Sequence, residues 1–155
     1  MTDPAGGRRA GVWLGVDVGT VRVGVARSDP RGVLAVPVET VRRDRKADAD
    51  LDRIVELAAE HEAVGVVVGL PLTLRGQHAA SAELATRYGA RLSERLPGLP
   101  VVYADERLST VSAARTLSGH GVRGRAGRAV IDQAAAVEIL QGWLDTPHPR
   151  PAEDA

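Results

Sequence analysis

Val12-Trp13-Leu14-Gly15-Val16-Asp17-Val18-Gly19-Thr20-Val21-Arg22-Val23-Gly24-Val25-Ala26 reads as two β-rich runs, residues 12–18 and 21–26, broken by Gly19-Thr20. A third run at 33–38 follows the turn signal Asp29-Pro30-Arg31-Gly32, so the first forty residues predict a meander of three antiparallel strands. Downstream the period changes. Residues 47–61 carry Leu51, Ile54, Val55 and Ala58 at helical spacing, with Asp48, Asp50, Asp52 and Glu56 assigned to the other faces. Residues 64–68 form a continuous apolar run stopped by Gly69-Leu70-Pro71, the pattern of a strand covered on both faces and parallel to its neighbours. A helix at 79–96, striped by Leu84, Tyr88, Leu92 and Leu96, ends at Pro97-Gly98; a fifth strand is expected at 100–104, a short helix at 109–117 and a last helix at 128–144. The order predicts an α/β domain on a mixed five-stranded sheet, three antiparallel strands followed by two parallel ones.

A chain of 155 residues with 44% hydrophobic content suits one domain, assigned to residues 11–145. Residues 1–10 read as a disordered leader without the apolar core of a signal peptide, and 146–155, with Pro147, Pro149 and Pro151, as a disordered tail. There is no Cys, which removes disulfides and thiolate zinc sites, and no segment suits a membrane; a cytoplasmic protein is expected. The formal net charge is zero, yet residues 107–131 hold Arg107, Arg115, Arg123, Arg125 and Arg128 without one Asp or Glu, about +5 in all. Nineteen of the 20 basic residues are arginine, a bias to which no function is attached.

Three acids in three segments stand out. Asp17 ends the first strand, Glu106 follows the fifth, and Asp132 shares a helical stripe with Ala136, Ile139 and Trp143 that should face the sheet. An unpaired carboxylate in apolar surroundings is costly, and a hard cation relieves the cost. Each acid also has a plainer reading. Asp17 could cap a turn at Gly19 and Thr20, Glu106 could pair with Arg107 or Arg53, and Asp132 could sit at a helix N-terminus. Together, if strands one and five lie close, the three suit a pair of Mg²⁺ or Mn²⁺ ions of the kind that hydrolyses phosphodiesters with the ions about 3.5–4 Å apart. His61, His78, His120 and His148 are scattered and form no metal pair.

The stretches Gly15-Val16-Asp17-Val18-Gly19, Arg22-Val23-Gly24-Val25-Ala26-Arg27-Ser28-Asp29, Val68-Gly69-Leu70-Pro71, Asp105-Glu106-Arg107-Leu108-Ser109-Thr110 and Ile131-Asp132-Gln133-Ala134-Ala135-Ala136-Val137-Glu138-Ile139-Leu140-Gln141 resemble the bacterial YqgF family, also called RuvX. The resemblance runs over residues 11–144. It implies an RNase H-like fold related to the Holliday junction resolvase RuvC and a metal-dependent nuclease that matures the 5′ end of the small-subunit (16S) ribosomal RNA precursor, or alternatively resolves Holliday junctions. Carried over by position, Asp17, Glu106 and Asp132 would be the catalytic metal ligands, and Arg22 and Arg107 would be candidates for contacting phosphate, with a surface ion pair as the plainer reading of each arginine. Arg123, Arg125 and Arg128 stand where the family commonly has lysines; the charge is kept, with a preference for forked phosphate contacts. Ala79, Ala80 and Tyr88 depart from the glycine and phenylalanine common around the Gly76 loop.

With two Trp, two Tyr and no Phe, base stacking has little surface, so structured RNA or branched DNA held by its backbone is the expected partner of a monomer or homodimer. Two other classes compete. The first hairpin alone is similar to the phosphate-binding hairpin of actin-like ATPases and sugar kinases, which are much longer and leave Glu106 and Asp132 unexplained. A noncatalytic nucleic-acid binding module would be marked by loss of an acid, and all three are present.

Overall fold

A computed structural model describes residues 10–71, 79–105 and 124–147. Strands β1 (Val12–Val18), β2 (Arg22–Ser28) and β3 (Ala35–Arg42) lead to helix α1 (Ala49–Glu60), β4 (Ala63–Leu70), α2 (Ala79–Arg95), β5 (Val101–Asp105) and α3 (Gly124–Asp145). The expected leader, the Gly76 loop, the helix at 109–117 and the Pro-rich tail fall wholly or largely outside the described residues. The five strands form one sheet in the order β3-β2-β1-β4-β5, with β1·β2 and β2·β3 antiparallel and β1·β4 and β4·β5 parallel. This is the mixed sheet expected from the run order. Strands one and five are not adjacent, however, because β4 lies between them.

The continuous apolar run in β4 is buried over Gly65 to Gly69 because both sheet faces are covered. On one face Leu14, Val16, Val23, Val25, Val66 and Val68 pack with Leu51, Ile54 and Leu57 of α1 and with Tyr88 and Leu92 of α2. On the other, Trp13, Ala26, Val67 and Ala104 meet Ala135, Ala136, Ile139 and Leu140 of α3. The α3 face is glycine-lined. A Cβ at Gly15 would stand 2.7 Å from the Leu140 Cβ, and one at Gly69 2.4 Å from the Ile139 Cδ1, so α3 lies closer to the sheet than any larger residues would permit. Trp143 closes the far end, its ring centroid 4.5 Å from that of Trp13.

Strand β3 starts and ends later than the expected 33–38. The Asp29 carboxylate accepts the amides of Arg31, Val33 and Leu34, which holds the turn through Leu34, and Val41 extends the buried run. Pro37 is tolerated because β3 is an edge strand and the ladder shifts register at Val25/Ala26. Helix α3 begins at Gly124 rather than 128; glycines at 124 and 127 are poor helix formers and hide the start.

A further correction concerns Asp50, read as solvent-facing. It is 2% exposed, accepts a 2.8 Å hydrogen bond from the Tyr88 hydroxyl and pairs with Arg43 at 3.3 Å. Burial and then the Asp50 contact push the Tyr88 hydroxyl far above its ordinary pKa, so it stays a donor at any working pH. Tyr88→Phe leaves a buried carboxylate short of one donor and is expected to cost about 1–3 kcal/mol in urea unfolding. An unchanged midpoint would remove the Tyr88–Asp50 hydrogen bond from the stabilising contacts.

Candidate nuclease site

Alternation along β1 sends Leu14, Val16 and Val18 toward α1 and α2, and therefore Gly15 and Asp17 toward α3. Asp17 faces Gly24 across the β1·β2 ladder and is only 7% exposed. At Gly24 the sheet and α3 nearly touch: an added Cβ would stand 2.0 Å from the Asp132 backbone carbonyl oxygen and 3.2 Å from the Asp132 Cβ. One glycine thus sets Asp132, on the helix, beside the strand position opposite Asp17. The stripe expected from spacing holds, since Ala136 and Ile139 are buried against the sheet and Trp143 packs tilted against Trp13.

Arg22 lies two residues before Gly24, on the same face, and its Nε donates to the Asp132 Oδ2 at 2.8 Å, with the two side chains 24% and 20% exposed. The sequence offers Arg22 as a phosphate contact or a surface ion pair; in the structure it is a largely buried ion pair, and its partner is one of the three acids. The turn explanation for Asp17 loses one of its two donors, because the Gly19 amide donates to the Arg22 carbonyl at 2.9 Å. Asp132 is the ninth residue of α3, well inside the helix, which removes the helix-end reading.

Glu106 and Arg107 lie outside the described residues, as does Arg123, and the side chains of Arg125 and Arg128 are likewise not described. The last described residue before them is Asp105, at the end of β5, with Ala104 level with Gly69 of β4. Arg53, the other partner considered for Glu106, is taken up by Glu39 at 2.8 Å, Glu56 and Glu60, and its hydrogen bond holds the Glu39 carboxyl below the usual carboxylate range. Among the described residues no three acidic or histidine side chains gather into a metal cluster. The donor chemistry nevertheless fits a hard cation: Asp17 and Asp132 are oxygen donors on a largely water-excluded face, and Asp132 already attracts a cation in Arg22.

Three positioning residues escaped the sequence reading. Gln133 donates to the Thr40 hydroxyl at 3.1 Å, while Gln141 donates to the Val33 carbonyl and accepts from the Ala35 amide, so two glutamines on α3 fix its register against β3. Arg43 donates to the Gly19 carbonyl at 2.9 Å and pairs with buried Asp50, tying the β1–β2 turn to the core. The glutamines were visible at helical spacing eight apart within the last quoted stretch; nothing local marked Arg43.

Comparison with known proteins follows the same residues. A family model described as "RuvX: Holliday junction resolvase" matches residues 11–146. Proteins named "Putative pre-16S rRNA nuclease" from Nocardia farcinica and Rhodococcus opacus are 55% and 57% identical, covering 93% and 94% of this chain and 81% of each relative. One from Mycolicibacterium smegmatis is 55% identical over 92% of this chain and 83% of its own. Among solved structures, Thermus thermophilus RuvC in complex with a Holliday junction substrate superposes with a TM-score of 0.53 at 18% identity, over 84% of this chain and 91% of that one, which is a likeness of fold. That fold is RNase H-like.

Proposed function

The chain belongs to the RuvX family, and from that premise we propose that it is a divalent-metal-dependent nuclease that trims the 5′ end of precursor 16S ribosomal RNA. The reaction is hydrolysis of a nucleic-acid phosphodiester bond. The observation that supports the site is that Gly24 pairs with Asp17 in the β1·β2 ladder and lies against Asp132 of α3. In this reading Asp17, Asp132 and Glu106, the residue after β5, hold Mg²⁺ or Mn²⁺. A bound divalent cation there supplies Lewis acidity at the scissile phosphate and lowers the pKa of the attacking water. The chain itself supplies carboxylates fixed by the β1·β2 ladder and by α3, a face that excludes water through Gly15, Ala136 and Leu140, and arginines for the backbone of the substrate: Arg22, Arg107, Arg123, Arg125 and Arg128. Among the described residues no helix is long and apolar enough to cross a membrane, and a cytoplasmic site of action fits a ribosomal RNA substrate.

A second reading, a resolvase of branched DNA, is favoured by the description of the family model. One assay separates the two. With Mn²⁺ or Mg²⁺, a labelled 16S precursor fragment carrying its 5′ leader is expected to be trimmed faster than a four-way DNA junction is nicked. Paired, symmetric nicks in the junction with the RNA untouched would replace the first reading by the second. Failure to cut either substrate would count against both and for a noncatalytic binding module.

A further inference from the structure

The Arg22–Asp132 pair sets two proposed roles against each other. A guanidinium 2.8 Å from Asp132 Oδ2 occupies one side of a carboxylate that, on the reading above, is to ligate a divalent cation. Both side chains are about four-fifths buried, so water and salt screen the pair incompletely. Asp132 retains its second oxygen, but this does not remove the conflict. A unit positive charge this close opposes a doubly charged ion at either oxygen, and the repulsion grows as the surroundings become less polar. The guanidinium is also held at a single point. Among the described residues its terminal nitrogens make no hydrogen bond, and only Nε is engaged.

We infer that Arg22 is a built-in counter-cation for Asp132, holding that carboxylate in the metal-free protein and displaced from it by the incoming ion, so that metal loading releases the guanidinium toward substrate phosphate. This rests on the assignment of Asp132 as a metal ligand. The arrangement gives an order to events: the side chain that offers forked contacts to phosphate becomes available only once the ion is in place. Coupling of this kind is reciprocal, so whatever Arg22 subtracts from metal affinity, the metal subtracts from the Arg22–Asp132 attraction.

The test is a calorimetric Mn²⁺ titration of the full chain as wild type, Arg22→Gln, Asp132→Asn and Asp17→Asn at one pH and salt concentration. Arg22→Gln is expected to bind Mn²⁺ roughly 5- to 50-fold more tightly than wild type, within the usual span of a coupling between neighbouring sites. Its metal-free form should melt lower than wild type, and saturating Mn²⁺ should narrow the gap. Equal or weaker Mn²⁺ binding by Arg22→Gln, with wild-type binding still dependent on Asp17 and Asp132, would overturn this inference and leave the metal site standing. Wild-type binding that is absent, or indifferent to both aspartates, would overturn the metal site and the inference with it. A second measurement needs no variant. In ¹⁵N-correlated spectra of the wild type, the Arg22 Nε–H resonance should shift or lose its exchange protection along the Mg²⁺ titration; a resonance unmoved at saturating Mg²⁺ would refute displacement.

Discussion

Asp17→Asn is expected to lower metal-dependent cleavage by on the order of 10²–10³-fold, the range found when one preorganised charged or polar group is removed from a reaction centre. The substitution keeps the shape of the side chain while removing its charge and turning one acceptor oxygen into an amide donor, so the backbone ladder β1·β2 around Gly24 should persist. That makes it a test of chemistry rather than of folding. The metal-free melting temperatures of wild type and variant set the baseline. The difference should emerge on adding the ion: at a concentration about 100 times its Kd, Mn²⁺ stabilises a single-site protein by about 2.7 kcal/mol, roughly 5–10 °C in melting temperature for a chain of this size. Asp17→Asn should lose most of that rise together with the activity. Wild-type cleavage in the variant would remove Asp17 from the site; loss of activity with the full thermal rise retained would make it a substrate-contacting residue rather than a ligand.

How much of this was legible in the sequence depends on whether the cause was periodic or singular. Apolar runs repeat with the period of the element they build, so all five strands and the helices α1, α2 and α3 could be read, and Asp132 could be placed on the sheet-facing stripe because Ala136 and Ile139 lie one and two turns on. Single contacts leave no such trace. The start of β3 is set by one Asp29 carboxylate accepting three amides, which no pattern announces. Asp50 is grouped by sequence with Asp48, Asp52 and Glu56 on the other faces of the helix, although its spacing of four from Ile54 and seven from Leu57 puts it on the buried stripe, and the structure follows the spacing. Arg22 could be named as a cation near the site but not paired, since Asp132 is 110 residues away in sequence. The approach of Asp132 to the strand position opposite Asp17 depends on a glycine lacking a side chain, and an alternating strand shows only that Gly24 faces α3, not that a helix backbone fills the space.

That glycine gives the second large effect. Gly24→Ala should destabilise the protein by about 1–3 kcal/mol, the usual cost of forcing a methyl group into a packed interior, and should lower cleavage by roughly 100-fold. The new Cβ would stand 2.0 Å from the Asp132 carbonyl oxygen and 2.5 Å from its carbon. These are atoms of a helix backbone, so no side-chain rotation can relieve the overlap; α3 must move away from β2 or the strand must bend. Movement of α3 is resisted elsewhere, by Gln133 on Thr40, by Gln141 on the β3 backbone and by Ile139 seated on Gly69. The strain is therefore shared between a shifted helix and a distorted ladder, and either one separates Asp132 from the strand position opposite Asp17. A misplacement of about 1 Å suffices for a 100-fold loss when reacting groups must be aligned. Gly98→Ala is the control: its φ of +90° makes alanine strained, but nothing lies within 4 Å of the added atom and the site is untouched, so stability should fall while cleavage and Mn²⁺ binding by the folded protein stay at wild-type values. If Gly24→Ala folded with wild-type stability, the close approach of α3 to β2 would be wrong. If it were destabilised yet cleaved and bound Mn²⁺ as wild type does, Asp132 would have no part in the metal site.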